Sequence, residues 1–406
     1  MSITIAILGL AFLILIHEAG HFFVARAVGM NPRKFYLGFP PALVKVRRGG
    51  IEYGIGAIPL GGYVKIPGMH RPAPSDLDVH LGRAKLEAPD LTGPVERVKR
   101  ELAAGETAAA GRALGELEAD VASRKLSPSA AKAAERGITD VGDALAPDAY
   151  WRQPTWKKVA VILAGPATNL VFAIVLLAVV YMIGVPDVTT RAVESVRSNS
   201  PAASAGLLPG DRILAINDRP VAADRISARI QASEGQPLSL VVERAGQRQV
   251  LPPTRPKVDN GALRLGFSLR PHYRSRGPAD ATSLATTQTW EVTKIIGTSL
   301  AGLAKGENRK DVSSAVGIVQ GSSQALDAGF RYYLGVLALI SLSLALLNML
   351  PLLPLDGGHI TFSLIEAVRG RALGREVYER VSIVGIALVL FLFAIGLTND
   401  IGRLSG

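Results

Sequence analysis

His17, Glu18 and His21 stand in the run His-Glu-Ala-Gly-His, the pattern in which two imidazoles and a carboxylate serve one zinc ion. On an α-helix, positions four apart share a face, so His17 and His21 offer two nitrogen donors together. Zinc lowers the pKa of water from about 15.7 to about 7, which makes hydroxide available at neutral pH. Glu18, beside the two histidines, is the candidate general base. The setting is unusual, because residues 3–28 are otherwise almost continuously apolar. An ionisable group in mid-bilayer costs on the order of 2.5 to 3.5 kcal/mol, so three polar groups in one turn are a large penalty unless they form a site. Motif and location together point to a hydrolase working inside a membrane.

Two histidines leave zinc one protein ligand short, since catalytic sites usually have three plus water. The best candidate is Asp356, in the stretch from Asn348 through Pro351 and Pro354 to Gly357, Gly358 and His359. Two prolines break the helix there, and the glycines allow a tight turn that aims a carboxylate into the bundle. Irregular backbone at that depth is tolerated only where it is buried in protein or lines a watery cavity. The plainer alternative is a helix-ending turn that carries an ordinary acid.

The elements that must position these residues are membrane spans. The chain has 406 residues, 48% of them hydrophobic, and a positive mean hydropathy, so several spans and at least one soluble module are expected. Four segments, roughly 3–26, 159–185, 332–353 and 381–397, approach the ~20 apolar residues that a hydrocarbon core of about 30 Å requires. The first lacks a basic leader and carries His17, Glu18 and His21, which excludes a signal peptide. Arg26, Arg33, Lys34, Lys45, Arg47 and Arg48 follow the first span, Lys157 and Lys158 precede the second, and Arg369, Arg371 and Arg375 separate the last two. The positive-inside rule makes those loops cytoplasmic, with the N-terminus, 186–331 and the C-terminus outside. His21 and Asp356 then lie at similar depth, toward the cytoplasm. The net charge of +11 is mainly a topology signal, with anionic lipid a secondary attraction; no nucleic-acid motif accompanies it. With no cysteine in the chain, disulfides and thiol catalysis are excluded.

The His-Glu-x-x-His run in the first span, Asn348 with the following Leu-Asp-Gly-Gly, and a PDZ-like segment between them resemble the bacterial site-2 protease family of intramembrane zinc metalloproteases (peptidase family M50). The likeness covers most of the chain outside 70–145. It implies that His17, His21 and Asp356 bind Zn2+, that Glu18 is the catalytic base and that Asn348 contacts the substrate backbone. One departure is visible: many members place the second proline two residues after the first, where this chain has Leu353 and then Pro354.

Other pieces fit the same pattern. Ala164 to Asn169, with Gly165 and Pro166, resembles the family's Gly-Pro-x-x-Asn signature; generic close helix packing by small residues is an equal reading. Tyr53 to Lys65 alternates small and apolar residues as a hairpin does, and resembles the family's β-loop beside the active site. There Gly61 and Gly62 are candidate substrate contacts, through backbone pairing with an unwound strand. Ser200 to Leu214 resembles a protease-associated PDZ domain, with Gly206 and Leu207 as candidate groove-loop residues. Ser283 to Leu303 has apolar residues at helical spacing, which suits an amphipathic helix on the membrane surface. Gly317-Ile318-Val319 is similar to a family Gly-Pro-Ile segment, without the proline. Residues 70–147 are rich in Ala, Glu, Lys and Arg, which favours exposed helices, such as a helical hairpin, without a chemical motif.

The expected architecture is a multi-pass α-helical membrane protein of about four spans, with a cytoplasmic-side membrane-associated β-hairpin and an inserted extracytoplasmic α+β PDZ domain. Its parts are a first span over 1–28, a β-loop over 29–69, a cytoplasmic helical insertion over 70–150, a second span over 156–185 and the PDZ domain over 186–275. An amphipathic helix and linker over 276–330, a third span over 331–353, a turn and cytoplasmic loop over 354–375 and a fourth span over 376–400 complete it. The expected activity is intramembrane zinc endopeptidase, cutting a transmembrane segment of another membrane protein. The resemblance alone adds an anti-sigma-factor-like substrate or a signal-peptide remnant, in an inner-membrane setting. Two rivals are an idle membrane scaffold whose PDZ domain binds exposed termini, and a soluble-type zinc peptidase anchored by its N-terminus. Retention of Glu18 in an apolar span disfavours the first, and the position of the motif within the span disfavours the second.

Overall fold

The computed structural model describes residues 1–259, 261–305, 313–373 and 375–405; residues 306–312 of the expected 276–330 linker lie outside them. Two compact units emerge, one from 1–177 with 285–406 and the other from 178–284.

The first unit begins with α1 (Ser2–Ala27), an apolar helix that ends before Gly29, whose φ of +87° suits the turn out of the helix. Two long strands follow, β1 (Lys34–Arg48) and β2 (Ile51–Lys65). Both bend, and residues 34–37 register with 52–55 on one side and with 65–62 on the other. The start of β1 therefore lies between the two arms of β2, which leaves the arm ending at Lys65 along an edge. Gly38, at φ +85°, and close backbone passages at Gly54 and Gly56 permit the bends.

Residues 70–150 form four helices, α2 (Pro74–Glu87), α3 (Thr92–Ala104), α4 (Thr107–Ser123) and α5 (Pro128–Leu145). Leu77, Leu81, Leu91, Val95, Val98 and Leu117 close a core of their own. This exceeds a helical hairpin, because the leucines and valines recur at helical spacing and the alanines let helices approach closely. Then come α6 (Thr155–Ile183), and in the second half of the chain α9 (Pro278–Ala304), α10 (Ala315–Ala328), α11 (Phe330–Asn348), α12 (Asp356–Arg369) and α13 (Arg375–Ser405). The labels α7 and α8 belong to the second unit below. Among the described residues, four helices are long and apolar enough to cross a membrane: α1, α6, α11 and α13. The third of these stops at Asn348, earlier than hydropathy alone placed it, since Pro351 and Pro354 cannot donate to a continuing helix. The helix α10 packs on α1 and α11, and its first turn is capped from a distance: Asp400 accepts from the Ser314 N–H at 2.8 Å, its hydroxyl at 2.6 Å and the Gly317 N–H at 2.9 Å.

The second unit is α+β. It contains β3 (Val185–Val196), α7 (Pro201–Ser204), β4 (Arg212–Ile216), β5 (Arg219–Pro220), α8 (Ile226–Gln231), β6 (Leu240–Arg244), β7 (Gln247–Val250), β8 (Lys257–Asp259), β9 (Ala262–Arg264) and β10 (Phe267–Arg274). The sheet runs β10-β3-β4-β6-β7, with β5 on β4, and β8 and β9 form a separate hairpin. Val193, Leu207, Ile213, Ile226, Leu240 and Leu265 lie in its core.

Candidate metal centre

In the first unit, α1 approaches α6 because Gly20 has no side chain; a Cβ there would press on Ala164 O and Thr168 Oγ1. Gly165 does the same under the His21 ring, where any Cβ would collide with Nε2. The small residues of the Ala164–Asn169 stretch thus make room for an imidazole.

The His21 Nδ1–H donates to Val161 O at 2.8 Å. That bond fixes the tautomer and leaves Nε2 with a free lone pair. His17 Nδ1 lies 3.3 Å from Nδ2 of the fully buried Asn169, whose Oδ1 has no partner. Turning the carboxamide over, an assignment that side-chain geometry alone does not fix, lets Oδ1 accept the Nδ1 proton and frees His17 Nε2 for a metal. The Asn169 main chain is itself held, since Ser341 Oγ on α11 donates to its carbonyl at 2.9 Å.

Asp356 opens α12. Gly357 and Gly358 lie against the backbone of residues 349–353, where a Cβ would collide. The glycines therefore serve close backbone approach at the start of a helix rather than a left-handed turn. Asp356 Oδ2 reaches 3.2 Å from His17 Nε2 and 3.4 Å from His21 Nε2, and the two Nε2 atoms are 3.3 Å apart.

Among the described residues these three side chains form a group whose ligand atoms all lie within 4.8 Å of one another. Four-coordinate zinc with bonds of about 2.0 to 2.1 Å separates its ligands by about 3.3 Å, and the observed separations match that. Asp356 Oδ2 is buried without a hydrogen-bond partner, as expected of an oxygen meant for a cation. Two neutral imidazoles and one carboxylate are a catalytic zinc donor set with a position to spare.

Glu18 sits beside this cluster and against the edge arm of β2. A Cβ on Gly62 would come within 2.8 Å of Glu18 Cγ, and the Val64 backbone amide faces the Glu18 carboxylate. The hairpin is held to α1 by aromatic packing, with the Phe22 ring 5.2 Å from Phe35 and 6.0 Å from Tyr53. Gly61 packs on the Phe39 ring. Asn348 ends α11, where its Nδ2 donates to Leu344 O within its own helix at 3.0 Å.

In the second unit, the amides of Gly206 and Leu207 donate to Ala203 O and Ala202 O, and the Leu207 side chain is buried in the core. A groove of about 710 Å³ opens between α8 and β10, lined by Val196, Ile230, Gln231, Leu265, Phe267 and Leu269 among others. Sequence reading named Asn169 only as part of the Gly-Pro-x-x-Asn run, without its contact to His17, and missed Val161, since no side-chain pattern can flag a carbonyl.

Comparison with known proteins agrees with this geometry. The model of the family described as "Peptidase family M50" matches residues 5–392. A protein of Agrobacterium fabrum that carries a zinc-metalloprotease name is 30% identical over 416 residues, spanning 98% of this chain and 95% of its own. The zinc metalloprotease RasP of Geobacillus kaustophilus is 28% identical over 410 residues, 96% of this chain and 95% of its own. The regulator of sigma-W protease RasP of Bacillus subtilis is 28% identical over 411 residues, 97% of this chain and 96% of its own.

Proposed function

Because the chain belongs to peptidase family M50 and is a zinc metalloprotease with Zn2+ as its cofactor, we propose that it hydrolyses a peptide bond inside the membrane-spanning segment of another membrane protein. The observation that carries this reading is the placement of His17, Glu18 and His21 within an apolar helix long enough to span, with Asp356 from the far end of the chain closing on them.

His17, His21 and Asp356 would hold the metal. Once bound, zinc would supply Lewis acidity toward the scissile carbonyl and make water acidic near neutral pH. Glu18 takes the proton of the attacking water and passes it to the leaving nitrogen. Val161 and Asn169 keep the two imidazoles in the ligand tautomer. The edge arm of β2 accepts the substrate as an added strand, with Gly61 and Gly62 letting the two backbones come close to Glu18. Asn348 contributes a contact to the substrate backbone. A helical substrate protects its own amides, so it must unwind first, and helix-weakening residues near its cut follow from that.

The second unit works as a PDZ-type module, in which an extended peptide adds to the free edge of β10 within the groove facing α8. The positive-inside pattern puts this module and the N-terminus outside the cell and the metal centre toward the cytoplasm of an inner membrane. An anti-sigma-factor-like protein or a signal-peptide remnant is the substrate class, in keeping with a relative named for regulating sigma-W.

A membrane-anchored reporter incubated with purified protein tests the reading. Wild type should release a fragment cut within the reporter's span, and Glu18→Gln should not. Equal cleavage by both would remove Glu18 as the base.

A further inference from the structure

The insertion of residues 70–150 has no part in the chemistry above, yet its last helix grips the strand that does. On α5, Asp140 and Asp143 are three apart and share a face. The Lys65 ammonium lies 2.7 Å from Asp140 Oδ1 and 2.9 Å from Asp143 Oδ2. Arg33 Nε donates to Asp143 Oδ1 at 2.9 Å, and its Nη atoms reach Asp148 at 3.1 and 3.2 Å. Lys65 ends the edge arm of β2 and Arg33 immediately precedes β1, and the Arg33 N–H donates to Lys65 O at 2.7 Å. The two cations therefore sit at the base of one paired strand end, both directed into the same acidic helix end.

The grip continues along the chain. The Tyr150 and Trp151 N–H groups donate to Pro67 O at 2.8 Å and Gly68 O at 3.0 Å. Gly68 itself, at φ +60°, lies against Ala144 and Ala149 with no room for a side chain. Just before this anchored base, Gly62 and Val64 meet Glu18. A strand fixed at one end by charge, and touching the base a few residues later, has its position over Glu18 set by that fixed end.

We propose that α5 is a charge clamp that holds the edge arm of β2 against Glu18, with Lys65 and Arg33 as positioning residues for peptide hydrolysis. Neither touches the reacting atoms; both act through the register and height of residues 61–64. The catalytic half of this statement rests on reading residues 61–64 as the substrate-pairing edge; the mechanical half does not.

Amide hydrogen exchange of the full-length protein in lipid nanodiscs, with cleavage measured on the same samples, tests it. In Lys65→Glu, exchange over 58–66 should rise several-fold while α1 and zinc content stay as in wild type, and kcat should fall by up to about 10²-fold, the cost of a misplacement near 1 Å. Lys65→Arg should keep the wild-type protection, and adding Asp140→Lys to Lys65→Glu should recover most of it. Should Lys65→Glu accumulate poorly, Asp140→Asn on the exposed side of the pair gives the same loosening without reversing a charge. Unchanged exchange over 58–66 in Lys65→Glu, or loosening that the charge swap fails to recover, overturns the clamp. If exchange behaves as stated while Glu18→Gln still cleaves, the clamp stands and the catalytic reading fails.

Discussion

His17 Nε2 and Asp356 Oδ2 stand 3.2 Å apart, although one lies in the first helix of the chain and the other opens the helix after the third apolar span. Such a separation between a neutral ligand nitrogen and a carboxylate oxygen, with His21 Nε2 equally close to both, is what one tetrahedral cation between them requires. Neither helix alone supplies three donor atoms.

Asn169 should govern how well His17 serves as a ligand. Replacing it with Ala removes the acceptor for Nδ1–H, and loss of such an outer partner typically weakens metal binding about 10- to 100-fold. Zinc affinity by competition with a chelator should fall in that range for Asn169→Ala and much less for Asn169→Asp, which keeps an accepting oxygen.

Gly62 should tolerate no side chain without cost to catalysis. In Gly62→Val the new atoms meet Glu18 Cγ, so strand or base must shift, and a displacement near 1 Å costs up to about 10²-fold in rate. Zinc content should stay at the wild-type level, which separates this effect from loss of the metal. A Gly62→Val enzyme of undiminished kcat would mean that the strand does not press on Glu18 during turnover.

The second unit should loosen in acid through Asp211. Burial raises this carboxyl, but the Arg244 guanidinium and the Leu208 N–H bind its ionised form and bring it below its ordinary 3.8. A depressed folded value means that the ion pair's stabilisation is present above the unfolded pKa, about 3.9, and is lost as pH falls through the folded value. Exchange over 206–216, corrected for its intrinsic pH dependence, should accelerate as pH drops below about 4, and Asp211→Asn should show that acceleration already at pH 7. Asp211→Asn keeps one accepting oxygen for the Leu208 N–H and the Arg244 fork together, and removes the negative charge that the guanidinium faces.

The chemistry was legible in the sequence where the residue types are out of place. His17, Glu18 and His21 in an apolar helix, and Asp356 after two prolines, announce themselves because lipid penalises them. The supports of those ligands were harder to see. Val161 acts through its backbone, and Asn169 matters only because α6 happens to turn it toward His17. The groove between α8 and β10 was not legible, because it is a product of packing and the apolar residues that line it read as ordinary core. The insertion was readable as helical from composition, but not as a four-helix unit gripping Lys65, since ion pairs between distant segments leave no local pattern.

Metal analysis of the purified wild type beside Asp356→Ala tests the joined two-helix site most directly. Wild type should carry close to one zinc per chain, and Asp356→Ala should be strongly depleted while remaining folded by circular dichroism. Full zinc occupancy in Asp356→Ala would show that His17 and His21 find their third ligand elsewhere, and would contradict the site described here.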